Sequence, residues 1–109
     1  MGTKSVNLIV QGDVFLHPAV MPKGAVRAQR KPRGWVLAEG EHTGHAHAVV
    51  DDGAELYEAD GVLYLPVDGE EVALRHEEHK PVFIPKGDWR VGIVREYDPF
   101  LEETRRVAD

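Results

Sequence analysis

Five of the six histidines in this 109-residue chain fall into two short stretches. "GEHTGHAHAVV", Gly40 to Val50, holds His42, His45 and His47, and "LRHEEHKP" holds His76 and His79; only His17 stands apart. A neutral imidazole offers a lone pair near neutral pH, which makes histidine a ligand for Zn, Fe, Mn, Ni or Cu. A His-x-His pair on a strand supplies two donors from one side, because residues two apart point the same way. The chemistry expected is a divalent transition metal (Zn, Fe, Mn or Ni) held by His45, His47, His76 and His79, with His42 a further candidate. Glu39, Glu41, Glu77 and Glu78 flank the histidines as partners that orient the rings or as a general base, with Glu77 and Glu78 the candidates for the base. Each residue also has a plainer reading. A single strand histidine is more often hydrogen-bonded structure than a ligand, the five together suit a pH-responsive cluster or a solvated rim, and a single glutamate is most often a surface charge.

Other chemistries are excluded. "HEEH" steps three positions between histidines where the zinc-protease helix needs four, and Lys80-Pro81 would stop such a helix at once. The absence of cysteine removes thiolate nucleophiles, disulfides and sulfur metal sites. Ser5 is the only serine and has no triad partner near it, and no glycine-rich phosphate loop occurs.

A net charge of −6 argues against a nucleic-acid surface over the whole protein. Charge is uneven, however. Residues 14–38 carry no acid and five bases, Lys23, Arg27, Arg30, Lys31 and Arg33, whereas residues 39–109 carry 18 acids against 7 bases. The basic stretch reads as a solvated loop and edge strand, or as a contact surface for phosphate or an acidic partner.

The elements that must position the histidines are strands. Asp52-Gly53, Asp60-Gly61 and Asp68-Gly69 fall at equal spacing, and Asp-Gly suits the positive φ angles of a type I′ hairpin turn. With "HAHAVV", "AELYEA", "VLYLPV" and "EVALRH" around them, they predict a meander of four strands from His45 to His76. His45, His47 and Val49 should share one face, and His76 the inward face of Val72 and Leu74, so the two clusters are expected to meet. Further strands are expected at Val6–Val10, Val14–Leu16, Ala25–Gln29, Trp35–Glu39, Val82–Ile84 and Trp89–Glu96, with a tight turn at Pro85-Lys86-Gly87-Asp88. Trp35 and Trp89 are expected in the core. Asp98, Pro99 and the acids then bases that follow predict a short C-terminal helix or tail. The fold class is all-β, a small antiparallel barrel or sandwich, in one domain over residues 1–109. No apolar run approaches a membrane span and "MGTKSVNLIVQGD" turns polar too soon for a signal peptide, so a cytoplasmic location is expected.

His45-x-His47, with Gly40 upstream, resembles the first metal motif of the cupins, β-barrels whose usual site is three histidines and one glutamate. Asp51 lies near the position of that family's acidic ligand, and Pro85-Lys86-Gly87 is similar to the turn of its second motif. The pattern then departs, because no histidine follows that turn. A closer resemblance, through "LAEGEHTGHAHAV", "ELYEADGVLYLPV", "HEEHKPVFIPKGDWRV" and "REYDPF", is to small uncharacterised proteins of bacteria and phages. It implies that His45, His47, Glu77, His79 and Arg95-Glu96-Tyr97 belong to a family pattern and brings no activity with it.

Two classes of function follow. One is a metal-binding β protein, enzymatic or not, acting on a small-molecule ligand. The other is a non-catalytic module, phage-borne or part of a multi-protein system, with structural histidines and a protein partner or second copy of itself. An RNA- or anion-binding barrel using Lys23 to Arg33 is the weaker third.

Overall fold

A computed structural model describes residues 8–40 and 43–94 of the chain, and it is all-β. The eight strands are β1 (Ile9–Gln11), β2 (Val14–Pro18), β3 (Val26–Arg27), β4 (Trp35–Glu39), β5 (Ala46–Val49), β6 (Tyr57–Ala59), β7 (Val62–Arg75) and β8 (Val82–Ile93). They form one antiparallel sheet in the order β1-β2-β8-β7-β5-β4, with β6 also on β7 and β3 on β6. His42, Glu41, the Arg95-Glu96-Tyr97 run and the expected C-terminal helix lie outside the described residues. No helix occurs among the described residues, so none there is long and apolar enough to cross a membrane.

Among the described residues the sheet does not close into a barrel, because β1 and β4 each pair on one side only. It curls instead. β2 pairs with the end of β8, Val14 opposite Ile93, whereas the Gln11 side chain reaches Leu74 O, which lies beside Val82 at the other end of β8. Eleven residues of straight strand span about 36 Å, so that contact requires the long β7–β8 pair to fold over. The core lies inside the fold: Val14, Leu16, Val49, Leu65, Val72, Leu74 and Ile84 are essentially fully buried, with Trp35 and Trp89 beside them as expected.

Only one of the three Asp-Gly pairs makes the expected hairpin. Asp60 and Gly61 both have positive φ, 53° and 79°, between the paired residues Ala59 and Val62. Asp68-Gly69 lies inside β7, where the register with β8 shifts between Val67 and Glu71. Asp52-Gly53 forms a bend packed on that irregularity: Asp68 N and Gly69 N both donate to Gly53 O, at 2.8 and 3.2 Å. A Cβ on Gly53 would come within 3.3 Å of Gly69 Cα, so these glycines serve a close backbone approach. The expected four-strand meander is therefore replaced by β5 pairing directly with the end of β7, Ala48 opposite Arg75 and Val49 opposite Leu74. Of "AELYEA", only Tyr57–Ala59 is a strand.

The expected turn at Pro85–Asp88 is likewise strand, the middle of β8. Proline lacks the N–H of a ladder bond and is tolerated where no neighbour needs one. β2 covers β8 only from Trp89 onward, which leaves Pro85 with β7 alone, and its carbonyl accepts the Trp89 indole N–H at 2.9 Å. In the basic stretch, the expected strand Ala25–Gln29 shrinks to the two exposed residues of β3.

Candidate metal centre

Four segments converge at one end of the curled sheet. His45 stands just before β5 and His47 within it, the connection from β7 to β8 brings His76 to Lys80, the end of β1 and the turn after it bring Gln11, Gly12 and Asp13, and the end of β4 brings Glu39 and Gly40. The rings of His47 and His76 stand 4.3 Å apart, His76 and His79 4.7 Å, His45 and His76 5.5 Å, and His47 and His79 5.9 Å. Four of the five candidate histidines thus form one contiguous group, and the fifth, His42, lies outside the described residues.

Gln11 fixes the most buried ring. Its Nε2 donates to Leu74 O and to Lys80 O, both at 2.9 Å, which uses both amide protons on groups that only accept. Its Oε1 then faces His47 Nδ1 at 2.9 Å, so Nδ1 must carry the proton. In a neutral ring the lone pair is consequently on Nε2, which lies 3.5 Å from Asp13 Oδ1. The His45 Nδ1 lies 3.4 Å from Glu78 Oε2, close enough for an ion pair when the ring is protonated. An acceptor on Nδ1 that leaves Nε2 to coordinate is how proteins commonly orient metal-binding imidazoles. His76 differs: its Nδ1 accepts the Glu78 backbone N–H at 3.0 Å.

The two candidate bases have unequal surroundings. Glu77 Oε1 accepts the Ala46 N–H at 2.9 Å, and this bond, more than the nearby His45 and Arg33, holds its carboxyl below the ordinary glutamate value. That suits a permanent anion better than a proton acceptor. Glu78 is mostly exposed beside His45. One donor atom each from His45, His76 and Glu77 lies within 4.8 Å of the others. Ligands around a tetrahedral ion stand about 3.4 Å apart, so this trio would have to close by at most roughly 1.4 Å, within reach of partly exposed side chains. On the inner side, His47, His76 and His79 line a cavity of about 270 Å³ with Asp13, Ala38, Glu39 and Gly40.

Gln11, Gly12 and Asp13 were not expected at the site. The only signal was Gly-Asp between two apolar stretches, which marks a hairpin without saying where its tip lands. Asp51, the counterpart of the cupin acidic ligand, is elsewhere: its Oδ2 accepts Ala73 N–H at 2.8 Å, and it lines a separate cavity with Trp35 and Arg30. His17, outside both clusters, is buried, with Nδ1 donating to Pro18 O and Nε2 accepting from Arg90. Three arginines of the basic stretch are engaged by the protein itself. Arg27 pairs with Glu55, Arg30 donates to Val50 O and lies over the Trp35 ring, and Arg33 donates to Gly44 O near Glu77.

The molecule is thus a small all-β protein with an open, curled sheet and a histidine–carboxylate cluster at one end. Its residues 10–94 match the model of the domain of unknown function DUF8820, and the chain belongs to that family. No curated protein and no solved structure matches it.

Proposed function

We propose that the histidine end binds a divalent transition metal. The observation that carries this reading is the pairwise proximity of donor atoms from His45, His76 and Glu77, beside the ring of His47 that Gln11 holds with its lone pair on Nε2. Nitrogen donors with a carboxylate and no sulfur suit Zn, Fe, Mn or Ni. Glu77 would serve as the anionic ligand, and His79 and Asp13 as neighbours able to complete the set. Coordination by His76 at Nε2 would move its proton to Nδ1 and break the bond from Glu78 N–H, at a cost of about 1 kcal/mol for one exposed bond.

The test is metal content and titration with Zn²⁺, Mn²⁺ and Ni²⁺ on protein made without a histidine tag. About one ion per chain is expected, with an amide shift at Glu78 in NMR spectra. An ion present at a hundredfold its Kd should stabilise the fold by about 2.7 kcal/mol. Alanine at His45 or His76 should remove this gain. Alanine at His17 should lower the melting temperature, because His17 is buried and bonded, and leave the stoichiometry intact. Absence of saturable binding in the wild type would refute the reading.

A further inference from the structure

His76 and Glu77 also close the end of a groove on the outer face of the sheet. Ala46, Ala48 and Val50 alternate with His47 and Val49 and so form a strip on the face opposite to Val49; Val50 is half exposed, whereas Ala46 and Ala48 are 4% and 6% exposed and stand outside the main core cluster. Residues directly opposite in an antiparallel pair share a face, and Arg75 is opposite Ala48, so its side chain stands beside this strip. Arg33 arrives from the connection before β4, anchored at 2.6 Å on Gly44 O and 3.8 Å from Glu77 Oε2. With Pro32, these residues line a space of about 430 Å³, the size of a small-ligand pocket.

The charges in the groove do not cancel. Two guanidiniums face one carboxylate, and the Arg75 side chain has no ion pair or hydrogen bond to any described residue. A divalent ion on His45, His76 and Glu77 would make this end strongly positive. Alanines along the floor leave room for an apolar body and offer a ligand no side-chain hydrogen bond. A planar carboxylate matches the fork of the Arg75 guanidinium, which no described residue engages, whereas a phosphate would set further charged oxygens against the alanines.

We propose that the groove binds a small carboxylate, with its apolar body on the Ala46–Ala48–Val50 strip and its oxygens between Arg75 and the metal. The proposal rests on the metal reading above and names the ligand class that the site would take. Arg75 recognises the anion and is not a metal ligand.

Isobutyrate is the probe, with isobutyramide as its neutral counterpart and inorganic phosphate as the competing anion. Each is titrated by NMR into wild type, Arg75→Gln and Ala48→Leu, metal-free and Zn²⁺-loaded, with bound zinc measured on the same samples. Isobutyrate should bind the zinc-loaded wild type, shifting the amides of Ala46 to Val50, and isobutyramide should not. Arg75→Gln should keep its zinc and bind isobutyrate about tenfold more weakly, as expected for loss of one charge-assisted bond. Ala48→Leu should keep its zinc and exclude isobutyrate from the filled strip. Undiminished binding by either variant, tighter binding of phosphate, or no isobutyrate binding by zinc-loaded wild type would overturn the groove proposal and leave the metal reading standing. Failure of the wild type to hold zinc would overturn both.

Discussion

The arginine-bearing segment and the histidine end make opposite use of their side chains. Arg27, Arg30 and Arg33 are near neighbours in the chain, yet each ends on a different group: Glu55, Val50 O and Gly44 O. The histidines come from two stretches some thirty positions apart, yet their rings touch as one group. Charges close in sequence have been dispersed to fasten loops, and residues distant in sequence have been gathered. Clustering along a chain is therefore weak evidence of a shared surface. The better sign is a second cluster that strand parity turns toward the first.

The sharpest way to break this contrast is at Gln11. Gln11→Ala leaves Leu74 O, Lys80 O and His47 Nδ1 without their partner, which should cost about 3 kcal/mol in all. The midpoint of thermal unfolding should then fall by roughly 10–20 °C. A change of a few degrees would mean that water replaces the amide and that the histidine end is loosely held. Gly12→Ala should come next. Gly12 has φ +60°, and an added Cβ would sit 2.7 Å from His79 Nε2, so His79 must move or the turn must open. About 1–2 kcal/mol is expected, read from denaturant midpoints, together with a displaced His79 ring resonance.

Glu77→Gln should act on pH dependence. Glu77 has a lowered pKa in the folded state, so its contribution is present above the unfolded carboxylate value and lost as pH falls through the folded one. The variant should be less stable than wild type near neutrality and converge with it in acid. Parallel curves would show that the Ala46 N–H does not depend on the charge of Glu77. The smallest effects belong to the arginines. Arg27→Gln should cost less than about 1 kcal/mol, as exposed pairs do. With their arginines engaged, residues 27–33 should give no retention on heparin at physiological salt. Retention lost on charge reversal there would restore the anion-surface reading of this segment and erase the contrast with the histidine end.

Much of the fold was legible where local chemistry decides. Val72 and Leu74 face the core as parity requires, and Asp60-Gly61 turns where two positive φ angles are needed. The same dipeptide at Asp52-Gly53 and Asp68-Gly69 answered to a different need, two backbones passing close together, which no local pattern distinguishes from a hairpin. Pro85-Lys86-Gly87-Asp88 was misleading because its tolerance of strand depends on how far β2 extends along β8, a tertiary fact. At the site, histidine type and spacing were visible, but Gln11 was not. A glutamine in a strand becomes informative only once the curl of the sheet has brought Leu74 and Lys80 over it.

The Gln11 amide also bears on the order of folding. Its two carbonyl partners lie 63 and 69 residues along the chain. The β7–β8 hairpin needs only local pairing and is free to zip early, whereas contacts of such high sequence separation wait until a long loop has closed. The histidine end is therefore among the last parts of the molecule to acquire its shape. A nascent chain still lacking β7 and β8 would carry His45 and His47 with no Leu74 or Lys80 carbonyl to hold the Gln11 amide. A ligand that needs all of these donors together would find them only in the folded molecule, and its stabilisation would come last.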